Sequence, residues 1–451
     1  MTQGSVTGHL LRFAVPLAVG LLFQQLYNTV DTLVVGRFVG REAQAAVGST
    51  GSIINTLVGF CSGLSGGATI VIAQRYGAHD TRGLSRAVHT TILLTVFLSA
   101  AATLLGLLVI DPMLRFMDTP ADVMADAHTY LAIYFAGVTG VLFYNMGSGV
   151  LRAVGDSTRP LIFLIVSALL NTALDLLFVL AFGMKVEGVA LATILSQIVS
   201  SALILIALFR EEGPYGLRWR LMKIDRASMR EIFRLGLPSA VQSGVTSFSN
   251  VFVQSYVNAF GSACMAGNSI YNKIDAFVLI PQQALSMSSA TFVGQNWGAR
   301  QRERTREGVR AAWIISVIFT ACLGAGVFIL APGLSGFFSE DAEVVSYAVR
   351  YLRIVTPFYI SMLTFSILSG ALRGIGDATV PTLIMLGSFV VFRQIYLAVT
   401  KALGCGFVSV ALAYPVGWTL CAVLMFIRYR SSAIFRPDPF PDVPESAAEG
   451  N

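Results

Sequence analysis

The chain has 451 residues, of which 55% are hydrophobic and only 12% are charged. Soluble proteins carry about 25% charged residues, so this chain has too few charges to coat the several soluble domains that its length would otherwise form. Its mean hydropathy of +0.70 also excludes a disordered chain. Most of its surface is therefore expected to face lipid.

Apolar runs long enough to cross a bilayer recur twelve times along the chain. A transmembrane helix needs about 20 mostly apolar residues. We therefore predict an all-α, multi-pass membrane protein with twelve transmembrane helices. Their predicted ranges are 10–35, 49–73, 88–110, 129–150, 160–184, 188–209, 232–259, 267–292, 309–330, 350–371, 380–401 and 404–428.

The basic residues predict the orientation of these helices. If both termini are cytoplasmic, 22 of the 31 Lys and Arg residues lie in cytoplasmic segments and 7 lie outside, while Lys273 and Arg393 fall inside helices. Cytoplasmic loops are enriched in Lys and Arg, so we predict a protein of the cell (inner or plasma) membrane with both termini cytoplasmic. The net charge of +6 is thereby explained by membrane-edge anchors, and no nucleic-acid partner is expected.

The two halves of the chain repeat each other at a nearly constant offset. The pattern SGxLRxxGDxTxP occurs at 148–160 and again at 369–381. At the same offset, QRYGA at Gln74 matches QNWGA at Gln295. Because the offset spans six helices, an even number, the halves share one orientation in the membrane. This predicts two six-helix lobes with a substrate path between them that opens alternately to each side.

The repeated pattern joins consecutive helices on the cytoplasmic side and is interpreted as a turn. In its first copy, Gly155 provides the turn and Pro160 fits the first turn of the following helix. Arg152 is expected to pair with Asp156 across the loop. We therefore expect the pattern to act as a hinge or tether and to make no substrate contact.

The predicted organisation has four parts, beginning with an N-terminal six-helix lobe at 1–209. A cytoplasmic linker at 210–231 connects it to a C-terminal six-helix lobe at 232–430. The last residues, 431–451, contain several Pro and Glu residues and are predicted to form a disordered cytoplasmic tail.

Several separated motifs resemble those of the multidrug and toxic compound extrusion (MATE) family. They are QQLYNTVDTLVVG at 24–36, AQRYGA at 73–78, LRAVGDSTRP at 151–160, LLNTALDLLF at 169–178, VGQNWGA at 293–299 and LRGIGDATVP at 372–381. The resemblance covers nearly the whole chain. It implies a V-shaped pair of six-helix lobes that exports organic compounds against an inward flow of protons or sodium ions.

The pattern is similar to the DinF-like branch of that family, in which a polar cluster of the N-terminal lobe couples to the ion. Asp31, Asn171 and Asp175 match this cluster, and Thr193 falls at the matching spacing. Charged residues inside the membrane face the protein interior and are functional by default. Two carboxyl groups could share one proton, or could join the amide and the hydroxyl as oxygen ligands of Na⁺. A proton is the preferred coupling ion, and neither a cofactor nor another metal is expected.

The departure from the NorM-like branch concerns the C-terminal lobe. That branch places carboxylates in helices 7 and 10, whereas here helix 7 carries only amides and helix 10 carries no acid.

Pro16, fifteen residues before Asp31, removes a hydrogen bond within helix 1. The resemblance implies that the helix bends there as the aspartates change protonation, and a static kink is the alternative.

The C-terminal lobe contains the other ionisable residues of the predicted helices. Asp275 and Arg393 lie at similar depth and are expected to pair, either structurally or as part of a substrate cavity. With three acids and two bases inside helices, the charge balance favours a cationic, amphiphilic organic cargo. The predicted cavity residues are Asn145, Asn250, Gln254, Tyr271, Asn272, Asp275, Gln282 and Arg393.

The sequence leaves an alternative open, a lipid-linked oligosaccharide flippase of the same wider superfamily. A flippase would need an Arg- or Lys-rich groove to hold pyrophosphate. A major-facilitator transporter is disfavoured because its charged loop signature is absent between helices 2 and 3. No nucleophile or metal-ligand constellation lies at membrane depth, so we do not expect an enzyme. The expected partners are small organic molecules and lipid, and the expected state is a monomer.

Overall fold

The computed structural model describes residues 1–117 and 119–436. Within this part of the chain every regular element is helical. The elements form twelve long rods, α1 to α12, and one 3₁₀ turn, Trp219–Leu221, in the linker. Six rods belong to each half of the repeat, so the predicted all-α fold with two six-helix lobes is confirmed.

The N-terminal lobe consists of six rods. They are α1 (Val6–Val34, continued by the π-helical turn Val35–Val39), α2 (Arg41–Gly77), α3 (Thr81–Phe116), α4 (Ala121–Ala136 and Val138–Ala153), α5 (Thr158–Leu176, continued by the π-helical turn Leu177–Ala181) and α6 (Val186–Arg210).

The rods of the C-terminal lobe follow after a short linker. They are α7 (Arg226–Asn258), α8 (Ser262–Val278 and Ile280–Gly298), α9 (Arg302–Gly336), α10 (Ala342–Val355, Thr356–Phe358 and Tyr359–Gly374), α11 (Thr379–Leu386, the π-helical turn Gly387–Phe392 and Arg393–Ala402) and α12 (Phe407–Ala411 and Ala413–Arg430).

Eleven of the twelve rods are long and apolar enough to cross a membrane in the described part of the chain. Nine do so as one continuous span each, and α4 and α8 do so as pairs of helices bent by 48° and 42°. The exception is α7, whose outer half carries Gln242, Asn250 and Gln254. Because α7 packs along α2 at the boundary between the lobes, its polar residues can face protein or the cleft instead of lipid.

The linker between the lobes is shorter than predicted and lies against α3. α6 extends to Arg210 and α7 already begins at Arg226. The backbone N–H of Arg218 donates to Nε2 of His89 at 3.0 Å, and that of Asp225 donates to Oγ1 of Thr90 at 2.9 Å. These hydrogen bonds tie the linker to the N-terminal lobe.

The predicted disordered tail begins with residues that pack on the protein. Ile434 is fully buried, and its carbonyl oxygen accepts hydrogen bonds of 3.0 and 2.6 Å from the guanidinium of Arg306 in α9. Disorder was therefore the wrong prediction for 431–436, because an apolar side chain and a cation–carbonyl contact anchor this segment. Residues 437–451 lie outside the described part of the chain.

The lobes touch in one half of the molecule and separate in the other. We call the contacting end the arginine-rich face, because it includes 75–86, 152–159, 210–234 and 300–310. There a Cβ on Gly67 of α2 would lie only 2.5 Å from the backbone nitrogen of Gly236 in α7, so the helices touch through their backbones. Toward the opposite end, the segments Ser262–Val278, Ala342–Val355 and Arg393–Ala402 of the C-terminal lobe pack against elements of their own lobe. The two lobes therefore form a V that is closed at the arginine-rich face.

The repeated pattern lies at this closed end. Gly155 and Gly376 have φ values of 97° and 93°, which favour glycine. Pro160 and Pro381 occupy the first turns of α5 and α11. The predicted turn is thus confirmed in both copies, and the helix end before each turn accepts a hydrogen bond from a glutamine of the opposite lobe.

Candidate functional site

A cavity of about 330 Å³ lies inside the N-terminal lobe, between α1, α2, α4, α5 and α6. We call it the N-lobe pocket. Among the described residues its lining includes one carboxyl group and neither Lys nor Arg. Its chemically distinctive lining residues are Tyr27, Asp31, Tyr130, Tyr134, Tyr144 and Thr193.

The predicted ion-coupling residues come together beside this pocket. Asp31 is 9% exposed, Asn171 is 1% exposed and Asp175 is fully buried. The carboxyl groups of Asp31 and Asp175 interact with each other electrostatically. Asn171 lies one helical turn before Asp175 on α5, as the spacing predicts.

Most polar side-chain atoms of this cluster lack a hydrogen-bond partner in the described part of the protein. Oδ1 of Asp31, both carboxylate oxygens of Asp175, and both amide atoms of Asn171 are buried without a hydrogen-bond partner among the described residues. Buried polar atoms without partners are rare and costly. A bound proton, cation or water between these atoms would remove that cost.

Thr193 lines the same pocket from α6. Its hydroxyl donates to the carbonyl oxygen of Val189 at 3.0 Å, so its proton is engaged and its oxygen remains an acceptor.

Each aspartate also precedes a π-helical turn, Val35–Val39 after Asp31 and Leu177–Ala181 after Asp175. Such turns are frequent at functional sites because they change the helical register locally.

The cluster can exchange a positive charge. Two carboxylates side by side repel strongly where the dielectric constant is low, so a shared proton or a cation between them stabilises the pair. The carboxylate oxygens, the amide oxygen of Asn171 and the hydroxyl oxygen of Thr193 are ligands that Na⁺ accepts. The site therefore fits either coupling ion.

The predicted pair of Asp275 and Arg393 does not form. Arg393 of α11 instead donates to Oγ of Ser249 at 2.9 Å and to Oδ1 of Asn250 at 2.8 Å, while Asp275 accepts from the hydroxyl of Tyr359 at 2.6 Å. Arg393 also lies over the ring of Tyr414, 5.1 Å from its centroid. The prediction was wrong because similar depth does not place two side chains on facing sides of their helices.

The other residues predicted for a C-terminal cavity make local contacts. Gln254 donates to Asn258 and accepts from Asn268. Tyr271 is buried and stacks on Tyr351 at 5.4 Å, whereas Asn272 is exposed. Gln282 is buried, and it is the neighbouring Gln283 that faces the space between the lobes. These residues do not share one described cavity, and their role in substrate binding stays a prediction.

A larger cavity, of about 440 Å³, lies between the lobes near the arginine-rich face. We call it the cleft. Asn145 lines both the cleft and the N-lobe pocket, so the two spaces adjoin. Pro16 also lines the cleft, and α1 continues as a helix through it. The predicted bending of α1 at Pro16 stays a prediction.

The charged residues of the cleft lining are Arg152 and Arg373, which the sequence analysis placed in a turn. The predicted pair of Arg152 with Asp156 is wrong, because Asp156 binds Arg159. In the second copy Asp377 binds Arg428 at 2.9 and 2.6 Å. The sequence repeat could have singled out these two arginines, because both occupy the last turn of a helix and stand at equivalent positions of the two halves.

The comparisons with known proteins match this architecture. The sequence model of the MatE family matches the chain twice, at residues 16–177 and at 238–399. The chain belongs to the MatE family. Because this family consists of transporters, the protein is a multi-pass membrane transporter and not an enzyme.

Individual relatives are similar to this transporter along nearly its whole length. A probable multidrug resistance protein of Bacillus subtilis, YpnP, is 27% identical over 430 residues, which are 95% of this chain and 96% of the relative. A MOP superfamily transporter from Pyrococcus furiosus has a structure with a TM-score of 0.91 and 25% identity, covering 97% of this chain and 98% of that one.

A second solved structure bears on the conformation. An outward-facing multidrug resistance MATE transporter has a TM-score of 0.89 and 25% identity, covering 95% of this transporter and 96% of that chain. The V closed at the arginine-rich face is thus similar to a structure described as outward-facing.

Proposed function

We propose that this transporter is a secondary active antiporter that exports organic compounds in exchange for protons or sodium ions by alternating access. The observation that carries the proposal is the buried cluster of Asp31, Asn171 and Asp175, most of whose polar side-chain atoms have no hydrogen-bond partner among the described residues. A group that must bind and release an ion cannot be permanently satisfied by protein hydrogen bonds.

The orientation follows from the arginines. Cytoplasmic segments of membrane proteins are enriched in Lys and Arg, so the arginine-rich face is cytoplasmic and both termini lie on that side of the cell membrane. The V then opens outward and is closed toward the cytoplasm. In this state the cleft would release its cargo, and the N-lobe pocket would take up the coupling ion.

A proton is the preferred coupling ion. Asp31 and Asp175 can share one proton without any further ligand, whereas Na⁺ needs several oxygen atoms around it. Asn171 and Thr193 extend the set of oxygens, so sodium remains the second candidate. The assignment of this transporter to the DinF-like branch stays a prediction.

Cationic amphiphiles are the first cargo to test, as the sequence predicted. The N-lobe pocket offers the rings of Tyr27, Tyr130, Tyr134 and Tyr144 together with the carboxyl group of Asp31. Aromatic faces attract organic cations. A cargo cation and a coupling ion that both favour the Asp31 carboxylate would compete, and such competition links their transport in opposite directions.

The flippase alternative gains one observation from the structure. Arg152 and Arg373 give the cleft two positive charges, and a lipid-linked oligosaccharide carries a pyrophosphate. Two arginines make a smaller basic surface than the groove that such a substrate would need. The comparisons name multidrug transporters among the relatives, which supports the exporter.

The deciding experiment uses purified protein in proteoliposomes with an imposed gradient of either protons or sodium ions, and a fluorescent organic cation as the reporter. We expect transport of the dye against its gradient with a proton gradient alone. Transport with a sodium gradient alone would show that the coupling ion is Na⁺ and not a proton. If neither gradient drives any organic dye while a fluorescent lipid-linked oligosaccharide is flipped, the flippase replaces the exporter.

A further inference from the structure

We propose that the cytoplasmic end of the cleft is an anion-binding site, in which Arg152 and Arg373 together hold a doubly charged group such as the phosphate monoester of an amphiphilic compound. This site is separate from the ion-coupling cluster, and it goes beyond the proposed exchange of organic cations for ions. It gives the transporter a place for anionic or zwitterionic cargo.

The first support is the charge of the cleft lining. Arg152 and Arg373 are its charged members, and neither Asp nor Glu belongs to the described lining. A cationic cargo would therefore meet two like charges at this end. An anionic group would instead meet two guanidinium groups, whose planar donors match the oxygens of a phosphate or carboxylate.

The second support is that the protein leaves both charges without a carboxylate partner. Arg152 donates to the neutral hydroxyl of Ser148 at 3.0 Å, and the guanidinium of Arg373 has no hydrogen-bond or ion-pair partner in the described part of the chain. The nearby acids are committed elsewhere, Asp156 to Arg159 and Asp377 to Arg428. Charges below the membrane surface without partners are costly, and a bound anion would offset that cost.

Each arginine lies in the last turn of its helix, where the helix dipole favours a positive charge. That interaction is worth only about 0.3–1 kcal/mol at exposed sites, so it offsets a small part of the cost. The dipole also does not explain why both side chains line one cavity. Their positions are related by the internal repeat, since each follows the leucine of the shared pattern SGxLR. Two equivalent charges facing one space suit a ligand group that carries two negative charges.

The rest of the cleft suits the organic part of such a compound. The lining continues outward from the arginines with apolar side chains, and Gln283 adds an amide among them. The apolar lining residues include Leu17, Leu21, Val58, Leu161, Leu164 and Met287. A charged group at one end of a mostly apolar cavity is the usual arrangement for binding an amphiphile.

The test compares two probes with the same ring and opposite charge, 1-naphthyl phosphate and 1-naphthylmethylammonium. Binding is measured by calorimetry on the full-length protein in nanodiscs of zwitterionic lipid. We expect the phosphate to bind, and each of Arg152→Gln and Arg373→Gln to weaken it by roughly 10- to 100-fold, as for lost hydrogen bonds between charged groups. The ammonium probe should bind no more weakly to these variants than to the wild type.

Controls separate the site from general charge and from folding. Arg230→Gln removes an exposed arginine of the same face and should leave phosphate binding unchanged. Arg373→Lys keeps the charge and should keep part of the binding if the Gln variant fails to fold. Binding is measured at equilibrium without any ion gradient, so a failure of ion coupling does not resemble a failure of this site.

The source of the anion is tested by lipid composition. If a lipid headgroup fills the site, nanodiscs with phosphatidylglycerol should suppress binding of the phosphate probe, whereas a soluble ligand would leave it intact. Either result supports an anion site. Equal phosphate binding by the wild type and the double Gln variant, or none by the wild type in either lipid, would overturn the proposal.

Discussion

Gln74 and Gln295 reach across the boundary between the lobes in opposite directions, and each donates a hydrogen bond to the other lobe. Nε2 of Gln74 lies 2.7 Å from the carbonyl oxygen of Gly374, and Nε2 of Gln295 lies 2.7 Å from that of Ala153. The two donors occupy equivalent positions of the internal repeat, and so do the two acceptors. The closure of the arginine-rich face is thus built twice, once from each half of the repeat.

Removing both glutamine side chains should favour opening of this face. Each hydrogen bond contributes about 1 kcal/mol, so the double variant Gln74→Ala/Gln295→Ala should shift the equilibrium roughly 30-fold toward opening. Spin labels on exposed Arg82 and Glu303, in opposite lobes, would report a longer distance. Gln3→Ala, which alters an exposed side chain, is the control. An unchanged distance distribution in the double variant would show that the backbone contacts alone hold the face closed.

Replacing Asp31 with Asn should uncouple transport. Asp31→Asn preserves shape and polarity but removes the titratable proton, so the protein should still insert, should bind a cationic cargo more weakly, and should not move it uphill. Asp175→Asn should give a similar defect because the two carboxyl groups act as a pair, and Thr193→Ala should be milder. The measurement is gradient-driven efflux from proteoliposomes, with Asp122→Asn on the exposed start of α4 as the control. Efflux by Asp31→Asn at the wild-type rate would place the coupling elsewhere, with Asp275 the next candidate.

Substitutions of Arg393 and Asp275 should act independently. Arg393→Gln removes the bonds to Ser249 and Asn250, and Asp275→Asn leaves an acceptor for Tyr359. Because the two residues have separate partners, their effects on thermal stability should add to within about 0.5 kcal/mol. The double variant and both single variants complete the cycle. A coupling well above about 1 kcal/mol would show that the charges sense each other.

The fold was accessible from the sequence because membrane helices leave a strong, local signal. Long apolar runs and the repeated motifs of the two halves predict the twelve rods and the two lobes. Even α7, the most polar rod, was predicted correctly from the apolar residues that remain between its amides. The ends were less accurate, since helices such as α9 continue beyond the membrane with charged residues from Arg302 onward.

The site was only partly predictable, and the reason is side-chain direction. Asp31 and Asp175 were found because an acid within an apolar run has few structural explanations. Arg152 and Arg373 were missed because each follows an apolar helix end, where arginines ordinarily anchor the membrane edge. Only the structure shows that Asp156 turns to Arg159 and leaves Arg152 facing the cleft.

The crossing of α2 and α7 provides a prediction with a neighbouring control. A Cβ on Gly67 would lie 2.5 Å from the backbone of α7, whereas nothing lies within 4 Å of one on Gly66. Gly67→Ala should therefore lower stability by about 1–3 kcal/mol through overpacking, and Gly66→Ala should be neutral or slightly stabilising. Thermal unfolding of both variants in one detergent decides this, and equal unfolding temperatures would contradict the close crossing.

The start of α7 should depend on pH through Asp225. Its carboxylate accepts from the backbone N–H and the hydroxyl of Ser228 at 2.8 and 2.7 Å, and these hydrogen bonds hold the pKa of Asp225 below its ordinary value. The stabilisation is therefore complete above the unfolded pKa of about 4 and is lost as the pH falls through the lower pKa of the folded state.

Asp225→Ala should accordingly cost about 1 kcal/mol near neutral pH, as for other helix caps. Thermal unfolding from pH 7 down to pH 3 should show this difference shrinking at the acidic end. Asp225→Asn keeps an acceptor oxygen and should recover much of the loss without the pH dependence. A difference that is constant over the whole range would show that ionisation of Asp225 does not contribute.

The glutamine exchange between the lobes has a consequence for how such a protein could arise. A single six-helix half carries one glutamine donor and one carbonyl acceptor, so two copies of it, arranged as a symmetric dimer, would make both hydrogen bonds from one set of residues. Fusion of duplicated genes would preserve this closure unchanged. The aspartates, in contrast, are found in one half only, at Asp31 and Asp175, whereas Val253 and Tyr396 occupy the equivalent positions of the other. Residues shared by the two halves close the molecule, and residues that differ between them give the halves different tasks.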